Sequence, residues 1–135
     1  VYIRDTAMSS QILTSHPWKT KELRAVYGDL AMYYLRGNSA VSNQNFDNES
    51  YVFYPDGTGL SIDANGFSHL IKEWKFVNAE NTKLTFKYYI TNSSIYHDMT
   101  WEHIRYKNKS ILTDEYWHDN YINKNYHGQA IRIPQ

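Results

Sequence analysis

The clearest structural signal in the chain is the segment Tyr51-Val52-Phe53-Tyr54-Pro55-Asp56-Gly57-Thr58-Gly59-Leu60-Ser61-Ile62. Aromatic and β-branched residues on both sides of an Asp-Gly pair predict a β-hairpin, because Asp-Gly adopts the tight turns that join neighbouring strands. The pair Asn65-Gly66 repeats the turn signal. The sequence therefore predicts three consecutive antiparallel strands, which cover Tyr51–Tyr54, Thr58–Ile62 and His69–Val77.

Apolar and polar residues continue to alternate towards the C-terminus. The alternation from Leu84 to Ile90 predicts a strand with one buried face, and Asn92-Ser93-Ser94 is expected to form a loop after it. The same reasoning predicts the last three strands, which cover Asp98–Tyr106, Ser110–Trp117 and Tyr126–Ile133.

The N-terminal residues predict a short helical turn and one long strand. Ser9-Ser10 offers an N-cap for the turn, and Pro17 ends it. A strand is predicted over Trp18–Tyr27. Because Trp18, Leu23 and Val26 do not share one parity along it, a β-bulge is expected in this strand.

The next segment has two interpretations. Asp29–Arg36 carries apolar residues on both faces and fits either a short helix or a strand. Gly37–Asn48 is polar and is predicted to be an exposed loop.

Composition limits the class of protein. The 135 residues fit a single domain over 1–135, with residues 1–15 as its lead-in. The absence of cysteine excludes disulfides and thiolate chemistry, and the balance of 14 Lys+Arg against 14 Asp+Glu argues against a nucleic-acid partner. No stretch approaches the roughly 18 apolar residues of a membrane span. Seven or eight strands without a long helix predict an all-β barrel or sandwich.

The order of these signals resembles the small lipocalin-like domains of bacterial envelope proteins, in the calycin group. The resemblance covers about residues 10 to 117. It is carried by the turn at Leu13 before Trp18-Lys19-Thr20, by Tyr51 to Thr58, by Glu73-Trp74-Lys75-Phe76 with Lys83-Leu84-Thr85-Phe86, and by Trp101 to Tyr106 with Ile111-Leu112-Thr113.

The resemblance implies an antiparallel up-and-down lipocalin-like β-barrel of about eight strands. It also implies a non-enzymatic protein that binds a small, largely apolar molecule without a cofactor. The expected location is the bacterial envelope or periplasm, with a lipidated cysteine upstream of Val1 as a possible anchor. Lipocalins often pair a first-strand tryptophan with an arginine near the last strand, which here implies Trp18 with Arg132, or with Arg105 as the rival. The oligomeric state is left open.

Aromatic residues in the middle of strands are the candidate interior. In a barrel they either fill the core or line a ligand cavity, and both interpretations stay open from the sequence. His103 is added as a polar group on the face of Trp101. The candidate ligand-binding residues are Phe53, Trp74, Phe86, Tyr88, Trp101, His103 and Trp117.

Two other functions compete with the carrier hypothesis. Tyr116 to Tyr126 is rich in aromatic and amide side chains, which suits a carbohydrate- or protein-interaction module with a filled core. A hydrolase-type enzyme would use His103 and an adjacent acid. No catalytic residue, metal site or cofactor site is predicted, because serine-nucleophile, zinc and phosphate-loop motifs are all missing from the sequence.

Overall fold

The computed structural model describes residues 6–89, 96–119 and 122–135. The chain is nearly all-β, with 60% strand and 3% helix. Helix α1 spans Ser10–Leu13. The strands are β1 Trp18–Tyr27, β2 Leu30–Leu35, β3 Ser50–Phe53, β4 Gly59–Ile62, β5 Ser68–Phe76, β6 Leu84–Tyr89, β7 Tyr96–Lys107, β8 Ser110–Asp119 and β9 Lys124–Pro134. The described ranges contain no helix of the length and apolarity that a membrane crossing needs. The predictions for Ile90 and for Asn92-Ser93-Ser94 lie outside them.

The strands form one antiparallel sheet that closes on itself. Its order is β2-β1-β3-β4-β5-β6-β7-β8-β9, and a further pairing of β1 with β9 completes the ring. Eight strands make the barrel wall, while β2 pairs with the later part of β1 beside β3. Because consecutive strands are neighbours from β3 to β9, the predicted up-and-down barrel is confirmed and the sandwich is excluded.

The ambiguous segment Asp29–Arg36 contains a strand, Leu30–Leu35. Its second edge has no neighbouring strand in the described part of the chain, and Asn43 from the following loop pairs with it instead. The Tyr33 amide donates to Asn43 Oδ1 at 2.8 Å, and Asn43 Nδ2 donates to the Ala31 carbonyl at 2.9 Å. The polar loop therefore satisfies backbone groups that a free strand edge would leave to water.

The bulge expected in β1 is present. The pairing register with β9 shifts between Thr20 and Glu22, so that the inward-facing parity changes along the strand. Trp18 and Thr20 are buried before the shift, and Leu23 and Ala25 are buried after it. One extra residue thus lets the whole strand keep its apolar side in the core.

A second bulge changes the inward face of β5. Leu70, Trp74 and Phe76 share one parity in the sequence, which would place them on one face of an unbroken strand. Leu70 is instead 51% exposed, whereas Ile71 is fully buried. The register shifts between Ile71 and Glu73, which returns Trp74 to the interior.

The N-terminal segment covers one end of the barrel, which we call the base; it is the end at Trp18 and Pro134. Ser9 caps α1 by accepting a hydrogen bond from the Ile12 amide at 3.1 Å, as predicted. The Trp18 indole donates to the Leu13 carbonyl at 2.8 Å, and both side chains are buried. The turn between β5 and β6 adds a hydrogen bond from Asn81 Nδ2 to the Met8 carbonyl at 3.2 Å.

Above the base the interior is solid. Phe53, Phe86 and Trp101 are almost completely buried. Their ring centroids lie 5.3 to 5.6 Å apart in edge-to-face contacts, the geometry that aromatic pairs prefer. This half of the barrel is therefore a packed core.

Candidate ligand-binding site

A cavity occupies the half of the barrel away from the base, which we call the mouth. Its volume is about 270 Å³. The walls are mainly apolar and aromatic, and they come from all nine strands together with the loop before β3. The apolar lining residues include Leu23, Met32, Phe46, Tyr88, Met99 and Trp117.

A cluster of stacked rings forms one side of the mouth. Tyr27 and Trp117 are stacked with centroids 5.6 Å apart, and Tyr126 continues the cluster at 6.0 Å from Trp117. The Tyr27 hydroxyl donates to Asp119 Oδ2 at 2.9 Å. This bond and the stacking hold broad aromatic surfaces towards the cavity.

Three charged side chains meet below the cavity, and we call them the charged floor: Glu49, Glu115 and Arg132. Arg132 Nη1 forms a short ion pair with Glu115, and both side chains are 1% exposed. Arg132 Nη2 lies 3.5 Å from Glu49 Oε1, and the Thr20 hydroxyl donates to that same oxygen at 2.7 Å. One guanidinium therefore serves two carboxylates.

Aromatic and hydroxyl groups surround the charged floor. The guanidinium carbon of Arg132 lies 4.8 Å from the Tyr51 ring centroid and 4.5 Å from that of Trp101. The Tyr126 hydroxyl donates to Glu115 Oε1 at 3.0 Å. Arg132 is thus held by ion pairs and by cation–π contacts in a dry environment, where both kinds of interaction are strengthened.

Burial changes the acidity of the groups around the floor. It raises the pKa of Glu49, although the nearby Arg132 charge opposes the rise. Burial also raises the pKa of Tyr126, and the negative charges of Glu115 and Glu49 add to that effect. Burial alone would lower the pKa of Arg132. The negative charges of Glu115 and Glu49 outweigh this effect and raise it. The guanidinium therefore stays charged, whereas burial disfavours the ionised form of Glu49.

A polar pair lies at the rim of the cavity. His69 Nε2 and Asp63 Oδ2 are 2.8 Å apart, and the other ring nitrogen of His69 lies 3.1 Å from the Tyr89 carbonyl oxygen. Burial of Asp63 works against ionisation, but the His69 contact and the turn amides of Phe67 and Asn65 prevail and lower its pKa. This pair fixes the turn between β4 and β5 at the mouth.

The predicted ligand-binding residues lie in three places: the cavity, the packed core beneath it and, for His103, the outside of the barrel. Tyr88 and Trp117 line the cavity. Phe53, Phe86 and Trp101 belong to the packed core beneath it. Trp74 is also in the core, where its indole donates to the carbonyls of Tyr54 and Thr58 at 2.9 and 3.0 Å and fastens the hairpin turn.

For His103 the expectation needs correction, since the residue lies outside the barrel. Its side chain is 76% exposed, and Nδ1 contacts Asp114 Oδ2 at 2.6 Å. The cause is a bulge in β7 between Glu102 and Arg105, where His103 takes a positive φ of 51°. Trp101 points inwards before the bulge. Because the bulge shifts the alternation of inward and outward residues, His103 does not face the same side as Trp101.

The expected contact between Trp18 and Arg132 is also corrected. The Arg132 guanidinium lies over Tyr51 and Trp101, whereas Trp18 packs at the base against Tyr106 with centroids 6.3 Å apart. The two carboxylates attract the arginine towards the centre of the barrel. The rival Arg105 is exposed on the outer face.

Sequence reasoning missed several cavity residues. Glu49, Phe46 and Met32 lie in or next to the segment interpreted as a polar loop or as an ambiguous element. A signal for Glu49 exists, because it shares parity with Tyr51 and Phe53 and therefore extends the inward face of β3. Phe46 has no such signal; it reaches the cavity because it packs edge-to-face against Tyr34, at 5.7 Å.

Glu49→Gln is expected to stabilise the fold at neutral pH, by on the order of 1 kcal/mol. The amide keeps an acceptor for Thr20 but removes a buried charge. Because the folded-state pKa of Glu49 is raised, its ionised form is disfavoured in the folded protein. The gain should therefore be largest at neutral pH and vanish as the pH falls below the ordinary value of 4.5. Urea denaturation at a series of pH values measures this difference, and a loss at neutral pH or a gain that does not change with pH would contradict it.

Metal binding has no candidate cluster within the described residues, where no group of three His, Asp or Glu side chains is placed to hold an ion. No family model, no curated protein and no solved structure matches the chain.

Proposed function

We propose that the protein is a non-enzymatic, lipocalin-like carrier that binds a small, largely apolar ligand in the cavity at the mouth. The observation that carries this proposal is the combination of aromatic and aliphatic walls with a few fixed polar groups. Such cavities bind small molecules by burying their apolar surface, while the polar groups set the orientation. Leu23, Met99 and Trp117 supply the walls, and Glu49 and Tyr51 supply polar atoms beneath them.

The size of the cavity limits the ligand. Drug-sized ligands occupy pockets of roughly 300–1,000 Å³, so the volume of about 270 Å³ favours a smaller molecule. A single aromatic ring with a short side chain, or an aliphatic chain of similar size, suits this space. The packed core below prevents a long chain from passing deeper into the barrel.

The alternative of an aromatic interaction loop receives less support. The aromatic residues of Tyr116 to Tyr126 do not share a surface: Tyr116 is 47% exposed on the outside, whereas Trp117 and Tyr126 line the cavity. Tyr121 lies outside the described residues. A stacked carbohydrate or a protein partner would need neighbouring rings on one exposed face.

The lipocalin-like family and the location in the bacterial envelope are part of the same proposal. The architecture supports the family: a closed up-and-down barrel has a helix-covered base and an aromatic cavity at the other end. The location follows from the resemblance alone. Fractionation of cells that produce the natural full-length protein would test it directly.

Trp117→Ala is expected to weaken ligand binding at least about tenfold, because a cavity wall and its stacking partners are lost. Fluorine NMR with para-fluorophenethyl alcohol and para-fluorophenethylamine measures the dissociation constants. Tyr116→Ala is the matched control, since this residue neighbours Trp117 on β8 and faces outwards. The proposal fails if neither probe binds the wild-type protein, or if a folded Trp117→Ala variant binds as well as the control.

A further inference from the structure

The charged floor carries more negative than positive charge. Glu49 and Glu115 provide two carboxylates, and Arg132 provides the single cation in contact with them among the described residues. The contact of Arg132 with Glu115 is shorter than its contact with Glu49. The side chains of Glu115 and Arg132 are equally buried. Glu115 and Arg132 thus form the closed part of the cluster, and Glu49 holds a share of the negative charge that the arginine does not balance.

Glu49 presents an oxygen that is not used by the protein. Both of its contacts, with Arg132 Nη2 and with the Thr20 hydroxyl, are made by Oε1. Oε2 accepts no hydrogen bond from the residues that the structure describes, although Glu49 lines the cavity and its side chain is only 15% exposed. A carboxylate oxygen that lines a cavity and has no donor from the protein favours a strong donor, and above all a charged one.

The surroundings of Glu49 also favour a cation. The rings of Tyr51, Tyr88 and Tyr126 lie close enough to Glu49 for its negative charge to contribute to their raised pKa values, after the larger effect of burial. Aromatic faces attract ammonium groups through their quadrupole, and more strongly where water is excluded. Trp117, the best ring type for this contact, lines the same cavity.

An anionic ligand meets the opposite conditions. Both terminal nitrogens of Arg132 contact glutamates: Nη1 contacts Glu115, and Nη2 contacts Glu49. A ligand carboxylate in the cavity would therefore face Glu49 without a free cation on the floor, and like charges repel strongly in a dry site. The charge of the floor thus selects against acids.

We infer that the ligand is a small organic amine, whose ammonium group binds Glu49 Oε2 and whose apolar part packs against Tyr88, Trp117 and Tyr126. This inference rests on the proposed function, because it names the ligand class of the same cavity. The ammonium balances the share of negative charge on Glu49 that Arg132 leaves unbalanced. It also adds a charge-assisted hydrogen bond that a neutral molecule of the same shape cannot make.

Three matched probes test the inference: para-fluorophenethylamine, para-fluorophenethyl alcohol and para-fluorophenylacetate, which differ mainly in charge. Fluorine NMR at neutral pH gives a dissociation constant for each. We expect the amine to bind at least about tenfold more tightly than the alcohol, a difference of 1.4 kcal/mol. The acetate should bind most weakly.

Two variants assign any preference to Glu49. In Glu49→Gln the affinity ratio of amine to alcohol should fall to near one. Glu73→Gln removes the same charge from an exposed position on the outside of β5, and it should keep the wild-type ratio. Far-UV circular dichroism of both variants verifies that the barrel is folded.

The outcomes separate the inference from the proposed function. Equal binding of amine and alcohol, tightest binding of the acetate, or an unchanged ratio in Glu49→Gln would overturn the amine inference while the carrier proposal stands. An equal fall of the ratio in Glu73→Gln would overturn it too, because the preference would then reflect net charge. If no probe binds, both the proposed function and the inference fail.

Discussion

Arg132→Met is expected to lower the free energy of unfolding by about 3–5 kcal/mol, which is the usual effect of removing one partner from a buried ion pair. The substitution leaves Glu115, whose side chain is 1% exposed, without its cation. It also removes the charge that opposes the raised pKa of Glu49. Methionine fills much of the space, so the loss comes from uncompensated charge more than from a void. Urea denaturation at neutral pH measures it.

Acidification should reduce this loss. Without Arg132, the charge that opposes the raised pKa of Glu49 is lost, so burial raises this pKa further in the folded state. A carboxyl group whose pKa is raised on folding destabilises the fold once the pH rises above its unfolded value. The variant should therefore recover stability, relative to its own value at neutral pH, towards about pH 4.

Two further variants identify the cause. Adding Glu115→Gln and Glu49→Gln to Arg132→Met should restore most of the lost stability, since no buried charge then lacks a partner. Arg132 Nε is itself buried without an acceptor among the described residues, which adds to the cost of keeping the cation. Arg24→Met, on the exposed face of β1, is the matched control. A loss below about 1 kcal/mol for Arg132→Met would contradict the role assigned to the ion pair.

The barrel could be predicted because its signals are local. The Asp56-Gly57 and Asn65-Gly66 turns and the alternation in β6 are properties of short segments, and all of them are present in the structure. Even the bulge in β1 follows from residues within one strand, because Trp18 and Leu23 can only be buried together if the parity changes between them.

The orientation of single residues was harder to predict, because bulges in the other long strands leave no unique trace. In β5 the parity of Trp74 and Phe76 favours Leu70 for the interior, whereas a register shift in the pairing with β6 buries Ile71 instead. In β7 the bulge that turns His103 outwards arises from pairing with β8. The alternation of residues predicts which side chains point inwards only within a segment that has no bulge. The positions of these bulges depend on the pairing with neighbouring strands.

The charged floor was beyond local reasoning for a related reason. Its members come from the loop before β3, from β8 and from β9, and they meet only when the sheet closes. Glu115 shares its parity with Trp117 and could be placed inside, but its partner Arg132 was expected to contact Trp18. The energetic preference of a buried guanidinium for two carboxylates over one indole decides the contact. That choice requires all the candidates to be placed in space.

Trp18→Ala is the second change with a large expected effect, a loss of about 3–5 kcal/mol in the free energy of unfolding. Trp18 is completely buried, and its ring is in edge-to-face contact with Tyr106. Its indole also holds the Leu13 carbonyl of α1 at the base. Alanine leaves a cavity between the helix and the barrel and removes this hydrogen bond. Urea denaturation again gives the magnitude.

Trp18→Phe separates the two contributions. Phenylalanine keeps most of the buried ring but cannot donate to the Leu13 carbonyl, so it should cost about 1–3 kcal/mol. A hydrogen-exchange measurement should show faster exchange in α1 for both variants, because Trp18 is what fastens Leu13 to the base. Val26→Ala, at a half-buried position of the same strand, should leave the exchange of α1 unchanged. If Trp18→Ala costs less than about 1 kcal/mol, the residue does not seal the base, and α1 must be held by Met8 and Leu13 alone.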